Sequence, residues 1–218
     1  MQNNHFNKSI LPVNKYITAS CVISKNTVFK EEKKIFEKQE ALPTDLLNAV
    51  YDHLGIKYSK FYKMGSPDRL GWLAAEILLK DRDLKSIYAP EQIGIVLSNA
   101  SASLDTDIKY YETVKDIPSP ALFVYTLPNI IIGEISIRHG LKGENAFFIN
   151  EVFDAEFING YVSNLINNNI LQACICGWVE FLKDEYKAVL FLVEKEAAAG
   201  AIPFTNENIN KIYRLENG

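Results

Sequence analysis

The side chains here that could do covalent or acid–base chemistry are three cysteines, three histidines and a scatter of carboxylates. Cys174 and Cys176 stand two residues apart in an apolar run, which puts both thiols on one face of a strand. A structural zinc site needs two further ligands, commonly a second C-x-x-C or a His pair, and neither is near. Both thiols, and Cys21 in the run Tyr16 to Ile23, are therefore expected in the core. His5, His53 and His139 are far apart in sequence. No G-x-S-x-G elbow frames a nucleophilic serine. No GxGxxG or Walker pattern frames a phosphate, so Gly94 and the turn Asn99 to Ser103 read as a serine-rich connection. Tyr110, Tyr111, Phe123 and Tyr125 could line an apolar tunnel, with core packing as their expected role.

The elements that must position these groups alternate. Apolar, β-branched runs at Tyr16–Ile23, Gln92–Ser98, Ala146–Ile149, Leu171–Val179 and Ala188–Val193 predict five strands. Between them lie helical patterns. Leu46, Leu47, Val50 and Leu54 form one, stopped by Gly55. Ser66-Pro67-Asp68 is a helix start, with a capping serine, proline at the first position and an acid in the first turn; that helix runs to about Lys80. Asp105 to Lys115 can form a surface helix. Asn129 caps a helix through Ile132, Ile135 and Ile137 that Gly140 ends, and Asp154 caps one to Asn168. The run Lys30 to Lys34 reads as solvated charge. Lys183-Asp184-Glu185 suits a hairpin between the last two strands. This alternation predicts a mainly parallel sheet covered on both faces, with one antiparallel strand added at its edge by the hairpin.

The chain of 218 residues is 48% hydrophobic and 23% charged, enough to bury a core. A net charge of -4 disfavours a nucleic-acid partner. No apolar stretch approaches the ~20 residues that span a bilayer, and no signal peptide opens the chain, so a soluble cytoplasmic protein is expected. Three expected parts follow: a flexible arm over 1–14, one domain over 15–200, and a polar tail over 201–218 with about one helical turn near Asn208 to Tyr213.

Several short motifs, in order, resemble the N-terminal half of β-ketoacyl synthases, the condensing enzymes of thiolase fold. Lys15-Tyr16-Ile17-Thr18-Ala19 sits where the first strand of that family opens. Met64 to Leu79 is similar to its alanine-rich helix, and Ile93-Gly94-Ile95-Val96-Leu97 to its second strand. Ser119-Pro120, Leu127-Pro128-Asn129 and Gly133-Glu134-Ile135-Ser136-Ile137 resemble its S-P…P-N…G-x-I-S-I segment, followed by Gly140-Leu141-Lys142-Gly143. The likeness covers roughly residues 15 to 195. It implies a three-layer α/β/α sandwich, half of a thiolase fold, with a five-stranded mixed sheet in the order 3-2-1-4-5 and the fifth strand antiparallel.

The departures decide the functional reading. Active members carry a nucleophilic cysteine on the turn after the third strand, at a helix N-terminus where the dipole favours a thiolate. Here that stretch is Ile149-Asn150-Glu151-Val152-Phe153-Asp154, which puts Val152, or Phe153 with a one-residue shift, at the nucleophile position. Neither can form a thioester. Glu151 resembles the acid of the T-E-Q turn in chain-length factors, and a solvated or capping glutamate is its plainer reading. The family's C-terminal half supplies two histidines, and none of the three here is placed for that role.

The resemblance thus implies a non-catalytic ketosynthase-like subunit of fatty-acid or polyketide-type biosynthesis. It would modulate or scaffold a catalytic ketosynthase and its acyl carrier protein, with no cofactor, metal or membrane. The alternatives are a vestigial acyl-thioester-binding enzyme with hydrolase or transferase activity, and a purely structural homodimer. In the family the strand before the nucleophile turn pairs across a twofold, so Ala146 to Asn150 is the expected edge of a homodimer or heterodimer. The next helix shows one apolar stripe, Phe157, Ile158, Tyr161, Val162, Leu165 and Ile166, opposite Glu156, Asn159, Ser163 and Asn167. That stripe fits an outer helix of an independently folded half with a wet outer face.

Overall fold

The computed structural model describes residues 14–215. In chain order the elements are β1 (Tyr16–Ser24), β2 (Thr27–Lys30), β3 (Lys33–Glu37), α1 (Pro43–Leu54), α2 (Ser66–Leu79), β4 (Ile93–Asn99), α3 (Leu104–Val114), α4 (Pro120–Phe123), α5 (Ile130–His139), β5 (Asn145–Ile149), α6 (Ala155–Asn167), β6 (Ala173–Leu182), β7 (Glu185–Glu194), β8 (Ile202–Pro203) and α7 (Asn206–Tyr213). The arm expected over 1–14 lies, apart from Asn14, outside the described residues.

Local chemistry sets most boundaries. Gly55 and Gly140 close α1 and α5 with positive φ of 65° and 68°. Asp154 caps α6, its Oδ1 accepting from the Phe157 amide at 3.0 Å. The start of α2 falls one residue earlier than the sequence suggests, with Gly65 rather than Ser66 at the cap. That helix is sandwiched on several sides and is buried along nearly its whole length.

One mixed sheet runs β3-β2-β1-β7-β6-β4-β5, with β8 pairing β1. β4 pairs in parallel with β5 and β6, while β7 is antiparallel to both β6 and β1. α1, α2 and α5 cover one face, burying Leu47, Leu73, Ile77 and Ile135 against Ile95 and Ile175. α6 and α7 cover the other, burying Ile158, Val162, Ile209 and Ile212 against Val96 and Phe191. This is the three-layer α/β/α arrangement, and the fifth expected strand is antiparallel as anticipated.

The strand order and count are corrected. In terms of the five expected strands the order is 3-2-4-5-1, not 3-2-1-4-5. β4 and β6 pair directly, from Ile93 with Ala173 to Ser98 with Trp178, leaving no slot for β1 between them. The hairpin turn folds β7 back on β6, and the outer edge of β7 then takes β1. The closing hairpin strand is therefore internal. Close packing there requires Gly177 (φ 148°), where a Cβ would stand 2.0 Å from the Val189 carbonyl oxygen. The sheet also has eight strands among the described residues. Lys30 to Lys34 is not bare charge. It ends β2, turns through Glu31 and Glu32, both at positive φ, and opens β3. Lys25 and Asn26 make the same kind of turn between β1 and β2.

Residues 201–215 differ from a polar tail. β8 pairs β1, α7 packs on α6, and Phe204, Ile209 and Ile212 are buried. No described helix is long and apolar enough to cross a membrane.

Candidate functional site

The turn after β5 is where the resemblance expects a nucleophile. Backbone bonds hold it: the Asn150 amide donates to the Asn99 carbonyl at 2.9 Å, tying it to the turn after β4. That second turn is pinned in its own way. Glu180 Oε2, on β6, accepts from the Ala100 and Ser101 amides at 2.7 and 3.1 Å. Asn99 bonds both backbone groups of Ala102, whose φ is 50°. The amides at Ala100 and Ser101 that could have met a phosphate are thus occupied by a carboxylate of the same chain.

Val152 is 68% exposed and Glu151 is exposed beside it. Phe153 turns inward, stacked on Tyr213 at 4.1 Å and edge-on to Trp178 at 6.1 Å. Lys187 Nζ lies 4.3 Å from the Tyr213 ring centroid. The groove these residues line opens to solvent between the 150–153 turn and the β6–β7 hairpin, with Glu180, Asp184 and Glu185 also on its walls. Its floor is aromatic, and among the described residues no thiol or imidazole lines it.

The other candidates are elsewhere. Cys21, Cys174 and Cys176 are fully buried and free. Burial pushes the Cys21 and Cys176 thiols well up, so both stay protonated and unreactive. His53 ends α1, its ring 5.0 Å from Phe36, and His139 lies 3.1 Å from Glu76. His5 lies outside the described residues. No cluster of three or more metal-ligating side chains occurs among the described residues. Of the aromatic pair readings, Tyr125 is core as expected, while Tyr111 and Phe123 are 67% and 59% exposed. The sequence reading missed Glu180, Trp178 and Tyr213. Glu180 carried a signal, being the one acid at the end of an otherwise apolar strand. Tyr213 carried none, because only the docking of α7 brings it to Phe153.

No protein-family model and no curated protein sequence matches the chain. Solved structures do. The ishigamide ketosynthase/chain length factor aligns with TM-score 0.57 at 16% identity, over 83% of this chain and 62% of that one. A type II PKS acyl-carrier protein in complex with its ketosynthase bound to the hexaketide aligns with TM-score 0.58 at 15% identity, over 84% and 63%. A ketosynthase in complex with its chain length factor from Xenorhabdus doucetiae aligns with TM-score 0.54 at 14% identity, over 85% and 80%. The chain thus spans about three fifths of the length of the first two. At 14–16% identity the likeness shows the fold: the chain shares the fold of these ketosynthase and chain-length-factor structures.

Proposed function

We propose that the protein is a non-catalytic ketosynthase-like subunit that pairs along β5 with a catalytic ketosynthase and serves, with an acyl carrier protein, in polyketide-type biosynthesis. The observation that carries this reading is the hydrocarbon at the turn after β5: the resemblance would put a thioester-forming sulfur at Val152, or at Phe153 with a one-residue shift, and the turn holds no sulfur. The family's Claisen condensation uses a thiol to carry the acyl group and imidazoles on the donor side, and among the described residues neither a thiol nor an imidazole lines the groove. Two of the similar structures are named as ketosynthases with a chain length factor and one as a ketosynthase with a carrier protein, which supports those partner classes.

The test is a pull-down from the native host with the tagged full chain, read by mass spectrometry and paired with acyl-thioester incubation. A co-purifying ketosynthase and an unmodified protein mass are expected. Stoichiometric acylation of Cys21, Cys174 or Cys176 would overturn the non-catalytic reading. A monomer at tens of micromolar with no ketosynthase bound would overturn the pairing. The open aromatic groove favours one second reading, an acyl-thioester-binding vestigial enzyme; turnover of acyl thioesters that Val152→Glu abolishes would select it.

A further inference from the structure

Asp68 is 4% exposed in the first turn of α2, yet no ammonium or guanidinium of the described residues sits on it. The nearby cations are engaged elsewhere. Lys109 bonds Asp105 and Ser66, at 2.6 and 2.8 Å. Arg69, next along the same helix, bonds Asn48 and lies over the Phe61 ring. Lys60 lies 3.6 Å from Glu134 on α5. Glu134 also accepts from the Tyr58 and Tyr125 hydroxyls at 3.0 and 3.3 Å, and its negative charge opposes ionisation of Asp68.

From α3 comes Thr106, 1% exposed, whose Oγ1 has no hydrogen-bond partner. Thr106 Oγ1 and Asp68 Oδ2 converge on the bare Cα of Gly65: a Cβ there would lie 2.5 and 2.8 Å from them. The adjoining pocket is narrow, with room of about 10 Å³, and Tyr125, Ile131, Phe147, Val179 and the exposed Leu127 line it. A carboxylate left charged in such a place, with its own backbone amide to accept from and no cation beside it, costs several kcal/mol in desolvation, which favours the acid form.

We propose that Asp68 is a proton-binding site whose occupancy decides whether α3 and the segment 123–128 stay seated on α2. With the proton bound the three segments pack dry. Once it leaves, water must enter past Leu127 to solvate the anion and reach Thr106, and the α3 side of the molecule loosens. Burial, opposed by a hydrogen bond from Asp68's own backbone amide and helped by a smaller push from Glu134, raises this carboxyl to about 8, so the change falls just above neutral pH. The sign follows from linkage. A group held above its unfolded value contributes stability that is complete below that value, declines as the pH rises, and is gone above about 8. The inference does not rest on the proposed function.

Amide hydrogen exchange on the full chain, corrected for intrinsic rates, tests it. Protection of residues 104–128 should fall at least tenfold more than that of β6 and β7 between pH 6 and pH 9. Asp68→Asn, a neutral isostere of the acid, should remove that difference. Equal loss in both regions, or an unchanged difference in the variant, overturns the proposal. Should the variant fail to fold, carbon-13 titration of the Asp68 carboxyl in the unaltered protein decides it: a midpoint near 8 supports the proposal and one below 5 sinks it.

Discussion

At one end of the sheet β3 reads Lys33-Lys34-Ile35-Phe36-Glu37, three charges in five residues; at the other β5 reads Asn145-Ala146-Phe147-Phe148-Ile149, with none. β3 is mostly exposed, its pairing with β2 is interrupted by a register shift, and its ends are lysine and glutamate. Charge and irregularity are how edge strands avoid unwanted pairing. β5 has neither. It ends on exposed Ile149, with exposed Val152 just beyond, and Phe148 leans on Phe157 and Tyr161. The edge built to refuse a partner is β3, and the edge without defences runs directly into the 150–153 turn of the candidate site. That contrast is the physical ground for proposing β5 as the pairing edge.

The contrast can be broken most sharply at β5 itself. Asn145→Lys with Ile149→Lys should weaken pairing, with a second copy or a ketosynthase, by roughly a hundredfold, because two charges would be desolvated unpaired (about 3 kcal/mol). Sedimentation reads this, with an unchanged far-UV spectrum as the folding control. Removing the anchor of the neighbouring turn comes next. Glu180→Gln weakens two charge-assisted bonds to the Ala100 and Ser101 amides and should lower stability by about 1.5–3 kcal/mol in urea unfolding. The smallest effect belongs to β3: Ile35→Lys at an edge already charged should change stability by no more than about 0.5 kcal/mol and leave assembly untouched. A large loss of assembly from Ile35→Lys would reverse the assignment of the two edges.

The strand runs were legible because β-branched and apolar residues cluster in lengths too short for helices, as at Ile93 to Leu97. The hairpins of β2 and β3 were not, because Lys25-Asn26 and Glu31-Glu32 adopt positive φ without the glycine that usually signals it. The site was half legible. Val152 and Phe153 could be placed by counting from Gly143, whereas the Phe153–Tyr213 stack joins residues sixty apart in sequence, about the whole of α6, β6 and β7 between them.

By itself the amino-acid order determined strands β1, β4, β5, β6 and β7, the helices that Gly55 and Gly140 end, the Asp154 cap, the burial of the three thiols and the hydrocarbon at the turn after β5, since each depends on side-chain type and short-range spacing. Only the tertiary structure decided the strand order, the docking of α7 and the isolation of Asp68. Those depend on which surfaces meet: an aspartate in a first helical turn is an ordinary dipole partner until α3 closes over it.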